Sequence, residues 1–383
     1  MKRSVLFLCL AGCSTLAPER PADHEFVASG RLRAGEVDDN RSFDDYARYF
    51  KAYPDHNVRK IDITDRQVLT FRNLDGHPVS LAPVRILADG EEVYRGMTTA
   101  AGQFMFPARA VGVEDRVRRL EAVVAGRRAP FHRGGDAEIE VDVEAPDRGR
   151  VDLDVAFCLD TTGSMSDEID RLKRTLRDVA ERIDGLQPRP RLRFGMVIYR
   201  DRGDEYVTRC VDFTEDVDRF QSALSRVEAA AGGDYEEAVS EALEASVNDL
   251  SWRSGEAIRL LFLVGDAPPH TDRSGGADYT RAMRRALEKG IKIHSLAASG
   301  LDDKGEFIWR QLAQFTLGKF MFISYGGTTR HHVGGYRENN LDDLMVRAVA
   351  EEVETLRPRQ ARPRPPSEGR GRDPDDFRLY RGR

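Results

Sequence analysis

From residue 151 onward, short continuous apolar runs alternate with apolar positions at helical spacing. The runs at 151–159, 193–199, 258–264, 291–298 and 319–323 have strand length and no polar face, as strands covered on both sides do. Between them Ile169, Leu172, Leu176, Val179 and Ile183 share one face of a helix, and Ala238, Val239, Ala242, Leu243 and Val247 share a face of another. The alternation predicts an α/β fold, a doubly wound and mostly parallel sheet over 151–356. A run at 207–213 follows its predecessor through a tight loop at Gly203, too close for a helical crossover, so it is expected antiparallel at an edge.

Upstream the period changes. Between 57 and 145, Val84 and Ile86, Phe104 and Phe106, then Ile139, Val141 and Val143 alternate with period two. Asp75-Gly76, Asp89-Gly90 and Ala101-Gly102 fall between them as turn signals, which predicts a small all-β sandwich. Within a tether at 13–56, residues 33–40 form a polar, turn-rich stretch, while Phe43, Tyr46 and Phe50 predict one short amphipathic helix. After Arg357-Pro358 the tail, 357–383, is rich in Arg and Pro and cannot build a core, so it is expected to be disordered.

Composition narrows the class. A chain of 383 residues has room for two domains, and its 40% hydrophobic content can fill their cores. No apolar run approaches the roughly 20 residues of a membrane-spanning helix. With 59 Lys+Arg against 65 Asp+Glu the net charge is −6, which argues against a nucleic-acid binder. Four cysteines exclude a disulfide scaffold and do not space as a zinc cluster. Cys158 and Cys210 lie in apolar strand-like runs and are expected to be reduced core thiols.

At the N-terminus Lys2 and Arg3 precede the apolar stretch from Ser4 to Leu10. Leu10-Ala11-Gly12-Cys13 then resembles the lipobox of bacterial lipoproteins. The resemblance implies a signal peptide at 1–12, a lipid on Cys13 and a mature chain anchored to a membrane of the bacterial envelope. Ser14 after the cysteine points to the outer membrane or cell surface. The alternative is a short buried strand with an incidental cysteine.

The chemistry gathers after the first α/β strand. Asp160-Thr161-Thr162-Gly163-Ser164-Met165 follows it directly, at the carboxyl end where open parallel sheets bind ligands. Asp160, Thr162 and Ser164 alternate, so a carboxylate and two hydroxyls can point one way. Such hard oxygen donors suit Mg²⁺, Mn²⁺ or Ca²⁺ rather than zinc.

This loop resembles the metal-ion-dependent adhesion site of the von Willebrand factor A domain, with Thr162 in place of the first serine of an Asp-x-Ser-x-Ser motif. The resemblance covers about 151–356 and implies strand order 3-2-1-4-5-6. It also implies a further ligand at Asp266, in the run Gly265-Asp266-Ala267-Pro268-Pro269-His270, and one from the Gly232-Gly233 loop, where Asp234 stands. Asp234-x-x-Glu237 also fits a capping box for the following helix. As a ligand, Asp234 would be a third carboxylate, holding the metal more firmly and weakening its pull on an acidic partner group. The stretch from Asn73 through Phe104 resembles the carboxypeptidase-regulatory-like sandwich and is expected to act as a spacer.

These resemblances imply one divalent cation, Mg²⁺ foremost, on Asp160, Thr162, Ser164, Asp234 and Asp266. The implied function is metal-dependent binding of a protein partner whose acidic side chain completes the metal shell. No residue is assigned a catalytic role. The rival readings are an envelope scaffold with a structural metal and a metal-assisted hydrolase that lacks a visible general base. Arg202-Gly203-Asp204 is expected to be incidental, His331 and His332 to pack a loop, and His270 and Asp272 to shape the rim. The DTTGS run also looks like an aspartic-protease signature, but no second such loop or all-β frame accompanies it.

Overall fold

The computed structural model describes residues 32–54, 58–114, 116–117, 119–144, 150–187, 189–271, 276–324, 331–333, 336–356 and 379–380. The signal-like segment with Cys13, Asp272 and nearly all of the 357–383 tail lie outside the described residues. Among the described residues no helix is long and apolar enough to cross a membrane.

Strand β1 (Arg33–Val37) and helix α1 (Phe43–Ala52) come first. Seven strands follow: β2 (Gln67–Asn73), β3 (Pro83–Ala88), β4 (Glu91–Met97), β5 (Gln103–Phe106), β6 (Leu120–Val124), β7 (Arg127–Phe131) and β8 (Ala137–Val141). The α/β region then runs β9 (Asp152–Asp160), α2 (Ser166–Asp184), β10 (Arg191–Tyr199), β11 (Thr208–Thr214), α3 (Val217–Ser225), α4 (Val239–Asn248), β12 (Ala257–Gly265) and α5 (Tyr279–Glu288). It continues through β13 (Ile291–Ala297), α6 (Asp303–Phe315), β14 (Phe320–Ile323), β15 (Asn339–Asn340) and α7 (Leu341–Thr355), and a short β16 (Leu379–Tyr380) closes the chain.

The large sheet has the order β11-β10-β9-β12-β13-β14-β1-β15. Its six α/β strands therefore follow the expected 3-2-1-4-5-6 order, with β11 antiparallel to β10. The apolar runs are buried on both faces because each face meets helices. Phe157 and Phe262 stack at 5.7 Å within the core that α2, α3 and α7 cover, while Cys158, Val197 and Leu263 face the core of α4, α5 and α6. Strand order reverses between β9 and β12, so their carboxyl ends flank a crevice, with Asp160 on one side and Asp266 on the other.

The seven strands β2 to β8 lie in two sheets, β8-β2-β5, extended by β16 from the tail, and β4-β3-β6-β7, as expected of a sandwich. Asp89 and Gly90 both take positive φ in the β3–β4 turn, the requirement that an Asp-Gly hairpin meets cheaply. Residues 379–380 of the tail pair with β8, which departs from the disorder expected of 357–383.

Two further readings are corrected. The polar stretch at 33–40 contains a strand, β1, which pairs antiparallel with β14. Its polar side chains are satisfied by ion pairs, Arg33 with Glu338 and Glu36 with Arg347, so burial did not demand an apolar pattern. At Gly35 a Cβ would lie 2.4 Å from the Phe322 ring, which is why a residue without a side chain stands there. Cys210 is a free thiol but exposed, because β11 is an edge strand. It and Cys158 both lie opposite Val197 from either side of β10, roughly 9–10 Å apart, too far for a disulfide.

The N-terminal segment is fastened to α6 by a buried ion pair. Arg310 donates to both Asp39 oxygens at 2.7 and 2.8 Å and to Glu306 at 3.1 Å. Removing one partner strands the other charge. We predict that Asp39→Ala lowers unfolding free energy by about 3–5 kcal/mol in denaturant titration, and that adding Arg310→Met restores part of it. Additive losses in the double variant would contradict the pairing.

Candidate metal centre

At the end of β9 the chain turns sharply. Thr162 donates both its amide and its hydroxyl to Asp160 Oδ1, at 2.9 and 2.7 Å. The Thr162 hydroxyl lies 3.1 Å from Ser164 Oγ, which donates to Asp266 Oδ1 at 3.0 Å. Four oxygens from the two strand ends thus form one continuous chain. Asp160 and Thr162 are wholly buried and Asp266 is 7% exposed, while Ser164 opens to solvent.

The loop is braced from both sides. Gly163 N donates to Ala231 O and Ala230 N to Thr161 O, at 2.9 and 3.0 Å. A Cβ on Gly163 would sit 2.7 Å from that Ala231 oxygen. A Cβ on Gly265, beside Asp160, would meet the Tyr199 hydroxyl at 2.5 Å and Asp160 Oδ2 at 3.0 Å. The glycines are what let the three segments close around the carboxylate.

The electrostatics are unbalanced. Asp160 Oδ2 is buried and faces the Tyr199 hydroxyl. Burial, with the Asp266 charge second, pushes the Asp160 carboxyl up to about 7 against the hydrogen bonds from Thr162 and Tyr199. Asp266 is also raised, by burial and then by Glu168, against its bond from Ser164. Glu237, 3% exposed, is pushed up to about 9 by burial and by the charges of Asp160, Asp201, Asp204 and Asp266. Its Oε2 is buried and unpartnered among the described residues. Buried carboxylates, one with a bare oxygen, beside two hydroxyls, fit a hard divalent cation.

Asp160, Thr162, Ser164 and Asp266 are therefore joined by hydrogen bonds, a chain that does not include Asp234. Asp234 is exposed and groups instead with Asp201 and His270, a set close enough to hold an ion. The capping alternative fails as well, since α4 starts at Val239 with Ala238 at its N-cap and no side-chain cap. Asp160, Asp266 and Glu237 do not form a directly shared group of that kind among the described residues. A single ion would reach at least one of them through water.

Sequence reasoning missed Glu237 and Asp201. Glu237 had been visible only as the far end of a capping box. Its amide donates to Pro268 O at 3.0 Å, a contact with a distant loop that no local pattern announces. Asp201 lies 2.7 Å from His270 Nε2, whose other ring nitrogen is 3.3 Å from Glu236. Arg202-Gly203-Asp204 is used internally: Arg202 pairs with Glu241, and Asp204 accepts from the amides of Asp201 and Gly232 at 3.0 and 3.2 Å. His331 packs against Phe320 and Phe322, with ring centroids 5.4 and 5.5 Å away. His332 joins Asp303 and Glu306 in a second group able to hold an ion.

Residues 154–304 match the family model of the von Willebrand factor A domain. Similar solved structures include a von Willebrand factor type A protein from Catenulispora acidiphila, at 18% identity over 53% of this chain and 43% of that one, with a TM-score of 0.39. Another is BatB, a conserved hypothetical protein from Bacteroides thetaiotaomicron, at 16% identity over 54% of this chain and 98% of that one, TM-score 0.36. A third is proximal thread matrix protein 1 of the mussel byssus, at 15% identity over 54% and 46%, TM-score 0.37. The match spans less than half of the Catenulispora and mussel proteins. No curated protein matches the chain.

The raised carboxyls fix the sign of a pH effect. Folded Asp160 keeps its proton up to about 7, whereas the unfolded chain releases it near 3.8, so ion-free stability falls as pH rises through that window. A cation offsets the cost of ionised carboxylates and gains most where they are ionised. We predict that saturating Mg²⁺ raises the melting temperature more at about pH 8 than at about pH 5.5. Equal shifts at the two pH values would contradict the assignment.

Proposed function

We propose that the von Willebrand factor A domain of this chain holds a divalent cation at the crevice between β9 and β12, and that a protein partner binds there in a metal-dependent way. Thr162 and Ser164 would supply hydroxyl ligands, and Asp160 and Asp266 would hold the ion, at least partly through water. Domains of this family are in general interaction modules rather than enzymes, which supports a binding role over a catalytic one.

The carrying observation is the chain of oxygens from Asp160 Oδ1 through Thr162 and the exposed Ser164 to Asp266 Oδ1. Its last two spacings, 3.1 and 3.0 Å, bring the two hydroxyls and the Asp266 carboxylate within reach of one hydrated cation. Hard oxygen donors of this kind suit Mg²⁺, Mn²⁺ or Ca²⁺. The Ser164 side opens outward, so a partner's oxygen donor would enter there; the ring of Tyr235 is also exposed. That ring is held by its hydroxyl, which accepts from Asp302 N at 2.7 Å and donates to Gly300 O at 2.8 Å. Display at a bacterial envelope through lipidated Cys13 belongs to the same proposal and rests on the lipobox-like sequence alone.

A scaffold reading, with the metal only pinning loops, is favoured by one observation: three loops already brace each other around Gly163 and Ala231. The two readings part experimentally. Calorimetric titration of Mg²⁺ into the full chain is expected to give one saturable site that Asp160→Ala and Asp266→Ala weaken at least tenfold. In pull-downs from envelope extracts, a partner retained with Mg²⁺ should be lost with chelator and with folded Asp266→Ala. Retention in both cases would leave the scaffold reading and refute metal-dependent binding.

A further inference from the structure

We propose that Glu237 is a resident acid of this metal site, so that the loaded site takes a neutral or basic group from its partner rather than a carboxylate. The inference rests on the metal reading above and adds the chemistry of the partner.

Glu237 is held in place by backbone. Its amide donates to Pro268 O, and it pairs with Pro269 as an isolated parallel bridge, so its position is tied to the loop that carries Asp266. Its side chain turns inward, leaving it 3% exposed. A Cβ built on Gly232 would lie 3.3 Å from Glu237 Oε1 and 3.3 Å from Thr162 Cβ, so the acid and the Thr162 ligand border the same gap. Gly232, at φ +84, keeps that gap open. Glu237 Oε2 is buried and bonded to nothing among the described residues, and the largest charges acting on the group are all carboxylates. An acid so placed is explained by a cation across the gap, reached directly or through a water.

The charge count then determines what can approach. Asp160, Asp266 and Glu237 bring three negative charges to a cation that carries two, and Asp201 and Asp204 stand behind them. The exposed Asp234 adds to this acidic surround through its group with Asp201 and His270, while Glu236 is already paired with Lys304. A partner carboxylate meets a site that is already negative and competes with Glu237 for the metal's attraction. A backbone carbonyl, an amide oxygen or a hydroxyl avoids that repulsion, and a Lys or Arg beside it gains from the acidic surround. The expectation that Asp234 supplies the third carboxylate is thus met by a different residue, three positions on, with the same consequence for acidic partners.

The test follows Mn²⁺ bound to the full chain by water-proton relaxation, with sodium acetate as the carboxylate probe. Wild-type protein should bind Mn²⁺, and acetate should leave the metal-bound water signal unchanged. Glu237→Gln, isosteric but uncharged, should weaken Mn²⁺ roughly tenfold and let acetate displace bound water. Glu237→Asp keeps the charge and should resist acetate as wild type does. Glu237→Gln behaving as wild type in both respects would overturn the inference, as would a Glu237→Asp variant as sensitive to acetate as Glu237→Gln. Acetate displacing water from the wild-type site would also overturn it while leaving the metal reading intact. Failure of the wild-type chain to bind Mn²⁺ would remove the metal reading and this inference together.

Discussion

Repulsion among buried carboxylates governs the crevice between β9 and β12. Asp160, Asp266 and Glu237 are brought into one another's field by three separate segments, and the largest charges acting on them are carboxylates. A protein does not gather such groups without cost, since a buried charge must be paired or neutralised. Protons can neutralise them, which is what the upward shifts of Asp160 and Glu237 express. A divalent cation does so at neutral pH and leaves the oxygens ionised. The rest of the site is arranged around that need: hydroxyls from Thr162 and Ser164, glycines at 163, 232 and 265 where side chains would collide or crowd, and a solvent-facing side at Ser164.

The scaffold explains why these acids can be held there at all. The apolar strands β9 and β12 pair in register up to Leu159 and Val264, so Asp160 and Asp266 emerge together at the point where strand order reverses. Aromatic packing of Phe157, Phe194, Phe220 and Phe262 fixes the sheet on one face. On the other face the core runs on without interruption into the N-terminal sandwich. That continuity makes the sandwich a wall of the same body, with Gly96 lying close to the backbone of Leu287 on α5.

Much of this was legible in the sequence because it follows local rules. Apolar runs announced five of the six α/β strands, the tight loop at Gly203 announced the edge strand, and the loop DTTGS directly after a strand announced an oxygen-rich site. What escaped depended on contacts between distant segments. Arg33–Val37 forms a strand although it is polar, because its charges find partners 305 and 311 residues away. Cys210 looked like a core residue because its apolar neighbours said nothing of its being on an edge strand. Glu237 showed only as the far end of a capping box headed by Asp234, and its tie to Pro268 and Pro269 places it beside Thr162.

The most direct measurement is anomalous diffraction from crystals of this protein soaked in Mn²⁺. The account predicts a single strong peak in the crevice, in contact with Thr162 Oγ1 and Ser164 Oγ and on the side that faces Asp266 and Glu237. An empty crevice, with Mn²⁺ found only at the Asp303, Glu306 and His332 group, would contradict it.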